Sequence, residues 1–259
     1  MTEMADFSGK HVVITGANRG IGLGIAEGFL KAGADLTICG LEDETPEIAA
    51  QLAQTHGRSV KGVTCDISDR QQVLAFSEHC DSLDVLINNA GFEFITPIAD
   101  PSPRVDDVFE RIIMTNVVGT FSVTRALLPK LVDGGRIVST SSMWGKTAVA
   151  EFSAYCASKH AVIGLTRSLA QELAPRRISV NAVCPGWVRT VASMRSLSAM
   201  AAREKRSESE LLDEIVGAQA LPGLMDPSDM AAMYLFLAGP AADNITGQSF
   251  TVDRGELMQ

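Results

Sequence analysis

From residue 10 to about residue 185, short runs dense in β-branched residues alternate with longer amphipathic stretches, and clusters of Gly, Asp or Asn divide them. Adjacent parallel strands must be joined by crossovers, which helices supply, so the alternation predicts βαβ units around a parallel sheet. The predicted strands are HVVIT, DLTIC, SVKGVTC, DVLIN, GRIVST, ISVNAVC and, near the end, QSFTV. Helical periodicity covers residues 21–32, 45–55, 70–79, about 105–132 and about 152–173. Seven strands with interleaved helices make a doubly wound α/β sheet, and without an internal repeat or a Pro/Ser/Gly-rich linker the 259 residues read as a single domain. One stretch departs from the pattern: residues 191–224 are helical in composition yet lie between the sixth and seventh strands. They read either as a plain crossover or as a mobile lid over a cleft, with Met194 and Met200 offering an adaptable apolar surface.

Composition excludes several function classes. A net charge of −9 leaves no basic excess to neutralise phosphates, so neither nucleic acid nor an anionic membrane is an expected partner. The stretch MTEMADFSGKHVVITG lacks the features of a secretory signal, and MAAMYLFLAG is too short to span a bilayer. Cys39, Cys65, Cys80, Cys156 and Cys184 are odd in number and lack CxxC spacing; they read as buried free thiols of a reducing cytoplasm. The histidines are scattered away from carboxylate or thiol clusters, so no metal site is expected.

Immediately after the first strand, TGANRGIG opens a helix. Gly16, Gly20 and Gly22 let the backbone turn tightly, and the helix N-terminus beyond them presents unpaired N–H groups. Strand, turn and helix in that order predict a dinucleotide pyrophosphate on the turn. After the third strand Asp66 stands where a carboxylate can accept from an adenine amino group, or where it can cap the next helix. After the fourth, Asn88, Asn89, Ala90 and Gly91 either admit a ribose or close a turn. Further on, YCASK puts Tyr155 and Lys159 one helical turn apart on one face. An ammonium beside a phenol favours the phenolate and makes a usable proton donor or acceptor, although the same pair also occurs on ordinary helix surfaces.

Together, TGANRGIG, NNAG, Asn116 within MTNVVGTF, STSS followed by YCASK, and CPGWVRT stand in an order and spacing that resembles the short-chain dehydrogenases/reductases. The likeness runs from about Lys10 to ITGQSFTVDRG, nearly the whole chain. It implies a Rossmann-type fold with a helical substrate lid and a catalytic tetrad. By that resemblance Ser142, rather than its neighbour Ser141, hydrogen-bonds the substrate oxygen, and Tyr155 exchanges a proton with it. Lys159 lowers the Tyr155 pKa and holds the nicotinamide ribose, while Asn116 positions a water that relays protons to Lys159. The resemblance also implies NAD(P) contacts from Gly16, Arg19, Gly20, Ile21, Gly22, Asp66, Asn89, Tyr155, Lys159, Val188 and Thr190. Pro185 and Gly186 then turn the chain round the nicotinamide, and Trp187 either borders the substrate or packs beneath the lid.

In this family an acid at the end of the second strand selects NAD, and nearby bases admit the extra phosphate of NADP; here that position is Gly40, followed by Leu41. Arg19 stands where NADP-using relatives often carry a base, but Glu42, Asp43 and Glu44 would repel a phosphate, so NAD is favoured. From the family layout Glu93, Phe94, Met143, Trp144, residues 149–152, Trp187, Met194 and Arg195 face the substrate. Acids and aromatics of this kind suit a small sugar or polyol; with Glu93 and Glu151 turned to solvent they suit an apolar ketone or steroid. A dinucleotide-binding sensor without turnover is the other class of reading, and the intact tetrad argues against it. The apolar outer faces of GTFSVTRALLPKLV and AVIGLTRSLAQEL, with the resemblance, predict a homotetramer.

Overall fold

In the computed structural model, which describes residues 6–258, the apolar runs become seven strands. These are β1 (His11–Thr15), β2 (Asp35–Gly40), β3 (Val60–Thr64), β4 (Leu83–Asn88), β5 (Leu131–Thr140), β6 (Ser179–Pro185) and β7 (Ser249–Val252). All pair in parallel, in the spatial order β3-β2-β1-β4-β5-β6-β7. Alternate residues of the central strands point to opposite faces, and both faces are apolar. Val12, Ile14, Leu36, Ile38, Val85 and Ile87 join one core cluster, whereas Val13, Cys39 and Leu86 join the other. Helices α1 (Gly20–Lys31) and α2 (Thr45–His56) cover the first cluster; α3 (Arg70–Glu78) covers the second. The chain lays down β1 to β3 in one direction and then crosses to β4 on the other side of β1. Connections therefore leave β1 and β4 in opposite senses, and a crevice opens beyond their carboxyl ends.

The stretch 105–132, expected as one helix, is α4 (Pro103–Ile113), a π-helical turn over Met114–Gly119, and α5 (Thr120–Leu127). It stops before Pro129, whose nitrogen carries no hydrogen to extend the helical ladder, and Leu131 and Val132 already belong to β5. Gly134, at φ +78, accommodates the register shift between Leu83 and Val85 on the neighbouring strand. The helix carrying Tyr155 and Lys159 is α6 (Ser153–Glu172).

Residues 191–224 hold α7 (Val191–Glu204) and α8 (Glu208–Gly217), each opened by a capping box, from Thr190 and Ser207. A backbone bridge between Val188 and Met225 pins the excursion at its base. Its apolar side forms a small core of its own, Trp187, Leu197, Ala201 and Leu211, apart from the two main clusters. One helix goes beyond the sequence reading: α9 (Ala231–Ala238), whose AAMYLFLA is apolar all round and shows no amphipathic period. It packs on α1 so closely that a Cβ on Gly28 would stand 2.5 Å from the Ala231 Cβ. Tyr234 of α9 is wholly buried, and its hydroxyl meets Thr140 Oγ1 at 2.7 Å, which satisfies the polar end of an otherwise apolar burial.

Candidate active site

The glycine turn and the NNAG turn are stitched into one platform at the mouth of the crevice. Gly16 and Gly20 lie at φ +65 and +55, and a Cβ on Gly22 would stand 2.1 Å from the Gly16 carbonyl oxygen, so side chains are excluded where the backbone folds on itself. Thr15 Oγ1 accepts from the Asn89 and Ala90 N–H groups at 3.0 Å, and Asn89 Nδ2 donates to the Thr15 and Gly16 carbonyls at 3.1 Å. The Asn89 amide, expected beside a ribose, is thus a clamp on the glycine turn. Arg19, the N-cap of α1, makes no side-chain cap, and the first turn carries no acid, so the leading N–H groups remain available to an anion. This cradle fits a dinucleotide pyrophosphate.

Around the expected adenosine end, Glu42 pairs with Arg19 at 2.6 Å and accepts from Asn18 Nδ2 at 2.7 Å. Asp66 closes a local turn, accepting from the Ser68 N–H at 2.9 Å and the Ser68 hydroxyl at 2.6 Å, while the cap of α3 falls to Asp69. Thr190 caps α7, and its methyl would sit 3.5 Å from a Cβ on Gly20, so CPGWVRT closes over the glycine turn.

The proposed acid–base residues gather deeper in the same crevice. A cavity of about 450 Å³ is lined by the glycine turn, Asp66, Ser142, Tyr155, Lys159, Val188 and Thr190. Lys159 is buried and donates to the Thr140 carbonyl at 2.8 Å; Ser141 donates to the Lys159 carbonyl at 2.8 Å, a supporting contact that leaves Ser142 as the serine beside Tyr155. Asn116 sits on the π-helical turn, accepting from Phe92 N–H at 2.7 Å and donating to Phe92 O and Ser158 Oγ, both at 2.9 Å. A Cβ on Gly91 would stand 3.4 Å from both Asn116 Oδ1 and Lys159 Nζ, so this glycine lies between the two polar ends.

Protonation differs from the sequence expectation. Burial pushes the Tyr155 phenol up, Glu93 adds to the rise, and the Ser142 hydroxyl opposes it. Lys159, expected to lower Tyr155, is itself pushed down to about 8 by burial, with Glu93 partly restoring it. Its ammonium is directed to a carbonyl, with Nζ 5.5 Å from the Tyr155 ring centre.

Three side chains expected to face the substrate are placed otherwise. Trp187 packs beneath α7 and α8. Glu151, at φ +68, forms an ion pair with Arg203 of α7. Phe152 is wholly buried against Trp144, their ring centres 5.0 Å apart. Arg111 lines the cavity, stacked 4.3 Å over Phe92, without having been legible in the sequence. On an unbroken α-helix it would diverge from Asn116 by roughly 140°, and the intervening π turn alters that phase.

A family model described as short chain dehydrogenase matches residues 10–201. The chain belongs to the short-chain dehydrogenases. It is therefore an oxidoreductase of CH–OH groups. The D-beta-hydroxybutyrate dehydrogenase of Cupriavidus necator is 32% identical over 260 residues, 97% of this chain and 99% of that protein. A solved NAD+-bound xylitol dehydrogenase superposes with a TM-score of 0.89 at 27% identity, covering 95% of this chain and 98% of that one. The L-sorbose reductase of Gluconobacter frateurii, complexed with NADPH and L-sorbose, gives 0.88 at 26% identity with 99% of each chain covered. Among the described residues of this short-chain dehydrogenase no helix is long and apolar enough to cross a membrane, and no group of three His, Cys, Asp or Glu could hold a metal ion.

Proposed function

We propose that this short-chain dehydrogenase interconverts a secondary alcohol and a ketone of a small hydroxyl-rich molecule, a sugar or polyol, using NAD(P) with NAD preferred. The observation that carries the reading is the meeting of Ser142, Tyr155 and Lys159 with the glycine cradle in one cavity beyond β1 and β4. Bound nicotinamide dinucleotide supplies the hydride acceptor in oxidation and the hydride donor in reduction. In the oxidative direction Tyr155 takes the proton of the substrate hydroxyl as the carbinol hydrogen leaves with its electron pair. In reduction Tyr155 returns a proton to the carbonyl oxygen. Ser142 donates a hydrogen bond to that oxygen, where negative charge develops. A phenol held this high keeps its proton, so its service as a base depends on positive charge nearby, which the Lys159 ammonium would supply. Asn116 holds the Phe92 backbone against α6, and its side chain lies on the Gly91 side of Lys159, where a relaying water would pass.

A carboxylate at the catalytic end, beside Tyr155, supports the hydroxyl-rich substrate. So do relatives named for xylitol and L-sorbose. NAD preference rests on Glu42, which engages Arg19 and would oppose a 2′-phosphate. Residues 191–224, with α7 and α8, act as the substrate lid. Exposed Phe109, Met114, Val118 and Phe121 along α4, the π turn and α5 support assembly as a homotetramer, readable as the mass in solution scattering. Five buried free cysteines suit the cytoplasm. The test is absorbance of reduced nicotinamide during incubation with sugars, polyols, hydroxy acids, steroids and simple ketones, each with NAD and NADP forms. Turnover of a polyol lost in Tyr155→Phe is the expected result; silence across the panel, with cofactor bound, would favour a sensor.

A further inference from the structure

Glu93 lines the catalytic end of the cavity, and the acid–base reading does not use its carboxylate. It follows NNAG on the loop after β4 and is partly buried. Its carboxylate Oε1 accepts from the Ser196 hydroxyl of α7, and its carbonyl accepts from Arg195 at 2.8 Å. Among the described residues Oε2 accepts no hydrogen bond, and no cation forms an ion pair with the carboxylate. The Arg195 guanidinium lies instead 4.1 Å over the Phe94 ring. A carboxylate so placed carries a desolvation cost that a purely structural role would offset with a cation. Burial raises the Glu93 pKa, while Ser196, Arg195 and Lys159 hold it down. In return its charge acts on both Tyr155 and Lys159, which places it on the reacting side of the cavity.

We propose that Glu93 is a specificity-determining residue, whose Oε2 accepts a hydrogen bond from a second hydroxyl of the substrate while Ser142 and Tyr155 hold the reacting oxygen. This deepens the proposed alcohol–ketone activity and rests on it. A neutral polyhydroxylated substrate fits the local charges best. An ammonium-bearing molecule would meet Lys159, Arg195 and Arg111, and a carboxylate would meet Glu93 itself. The Ser196 contact gives the same carboxylate a hand in seating the lid, since α7 reaches the loop after β4 through Arg195 and Ser196 alone among the hydrogen bonds of the described residues.

The test compares xylitol with 2-pentanol, a secondary monoalcohol of the same chain length, and with 3-hydroxybutyrate, in the full chain and in Glu93→Gln and Glu93→Asp. A site built to hydrogen-bond a hydroxyl discriminates strongly against analogues lacking it, so the parent should favour xylitol over 2-pentanol by about a hundredfold or more in kcat/KM. Glu93→Gln should lose most of that ratio, chiefly through KM for xylitol, while loss of its charge beside Tyr155 and Lys159 shifts kcat for both alcohols alike; Glu93→Asp should restore part of the ratio. A structural role would depress both alcohols together and leave the ratio intact, and that outcome overturns the proposal. So does preference for 3-hydroxybutyrate that increases in Glu93→Gln. If 2-pentanol is oxidised as well as xylitol, this inference fails alone; if no sugar or polyol of the panel is turned over, the proposed function fails and takes it down as well.

Discussion

Replacing Asn116 by alanine isolates what the π-helical turn contributes. The side chain is buried and joins the loop after β4 to α6 through three bonds, two to the Phe92 backbone and one to Ser158. Truncation strips the Phe92 N–H and C=O of their partners at once. Orphaned polar groups cost roughly 1–3 kcal/mol each when buried, and water reaches part of this loop, so a loss of about 2–4 kcal/mol is expected. For a chain of this size that lowers Tm by on the order of 10 °C. Ser158 keeps its 2.8 Å bond to the Tyr155 carbonyl and limits the damage to α6. Asn116→Asp retains the acceptor for Phe92 N–H but cannot donate when ionised, and its loss should fall between parent and alanine. Urea unfolding followed by circular dichroism gives the free energies, and kcat on whichever alcohol is turned over gives the catalytic loss. A change below about 1 kcal/mol for Asn116→Ala would refute the view that this side chain holds the loop.

Lys159→Met should abolish turnover yet stabilise the fold at pH 7. Depression of the amine from 10.5 to about 8 corresponds to roughly 3 kcal/mol against the native state, of which the bond to the Thr140 carbonyl offsets part, leaving about 1–2 kcal/mol. The unfolded amine binds its proton up to a higher pH than the native one. Parent stability from this group therefore rises with pH between about 8 and 10.5, and the advantage of Lys159→Met should shrink over that window in parallel denaturation curves. Glu42→Gln releases Arg19 from its 2.6 Å partner and should shift the NADP-to-NAD ratio of kcat/KM upward by about tenfold, or roughly 1.4 kcal/mol. An unchanged ratio in steady-state kinetics would mean that Glu42 does not govern the adenosine pocket.

What the sequence disclosed was what local geometry determines. Gly16, Gly20 and Gly22 could be placed because tight turns admit few other residues, and Tyr155 with Lys159 because helical spacing alone sets them on one face. The strands and their parallel pairing followed from apolar runs alternating with amphipathic stretches. Features governed by partners distant in the chain stayed hidden. Asn89 clamps the glycine turn only because β1 and β4 are neighbours, and Glu151 meets Arg203 only once α7 folds back. The π turn at Asn116 has no residue signature, so the surrounding stretch read as one continuous helix. Lys159 was expected to pull the Tyr155 pKa down, but spacing is silent about burial, and burial dominates both groups.

The edge-to-face pair of Trp144 and Trp187, ring centres 5.9 Å apart, has an optical consequence. These are the only two tryptophans in the chain, and Trp144 also stands 6.1 Å from the Tyr155 ring. Nearly all intrinsic emission of the protein thus comes from a single spot between the root of α7 and the Tyr155 phenol. Reduced nicotinamide absorbs where indole emits, so its arrival should quench that light by energy transfer, and a shift of α7 should change the emission colour. The molecule carries its own reporter for displacement of α7 and for binding of a nicotinamide dinucleotide, without a label being attached.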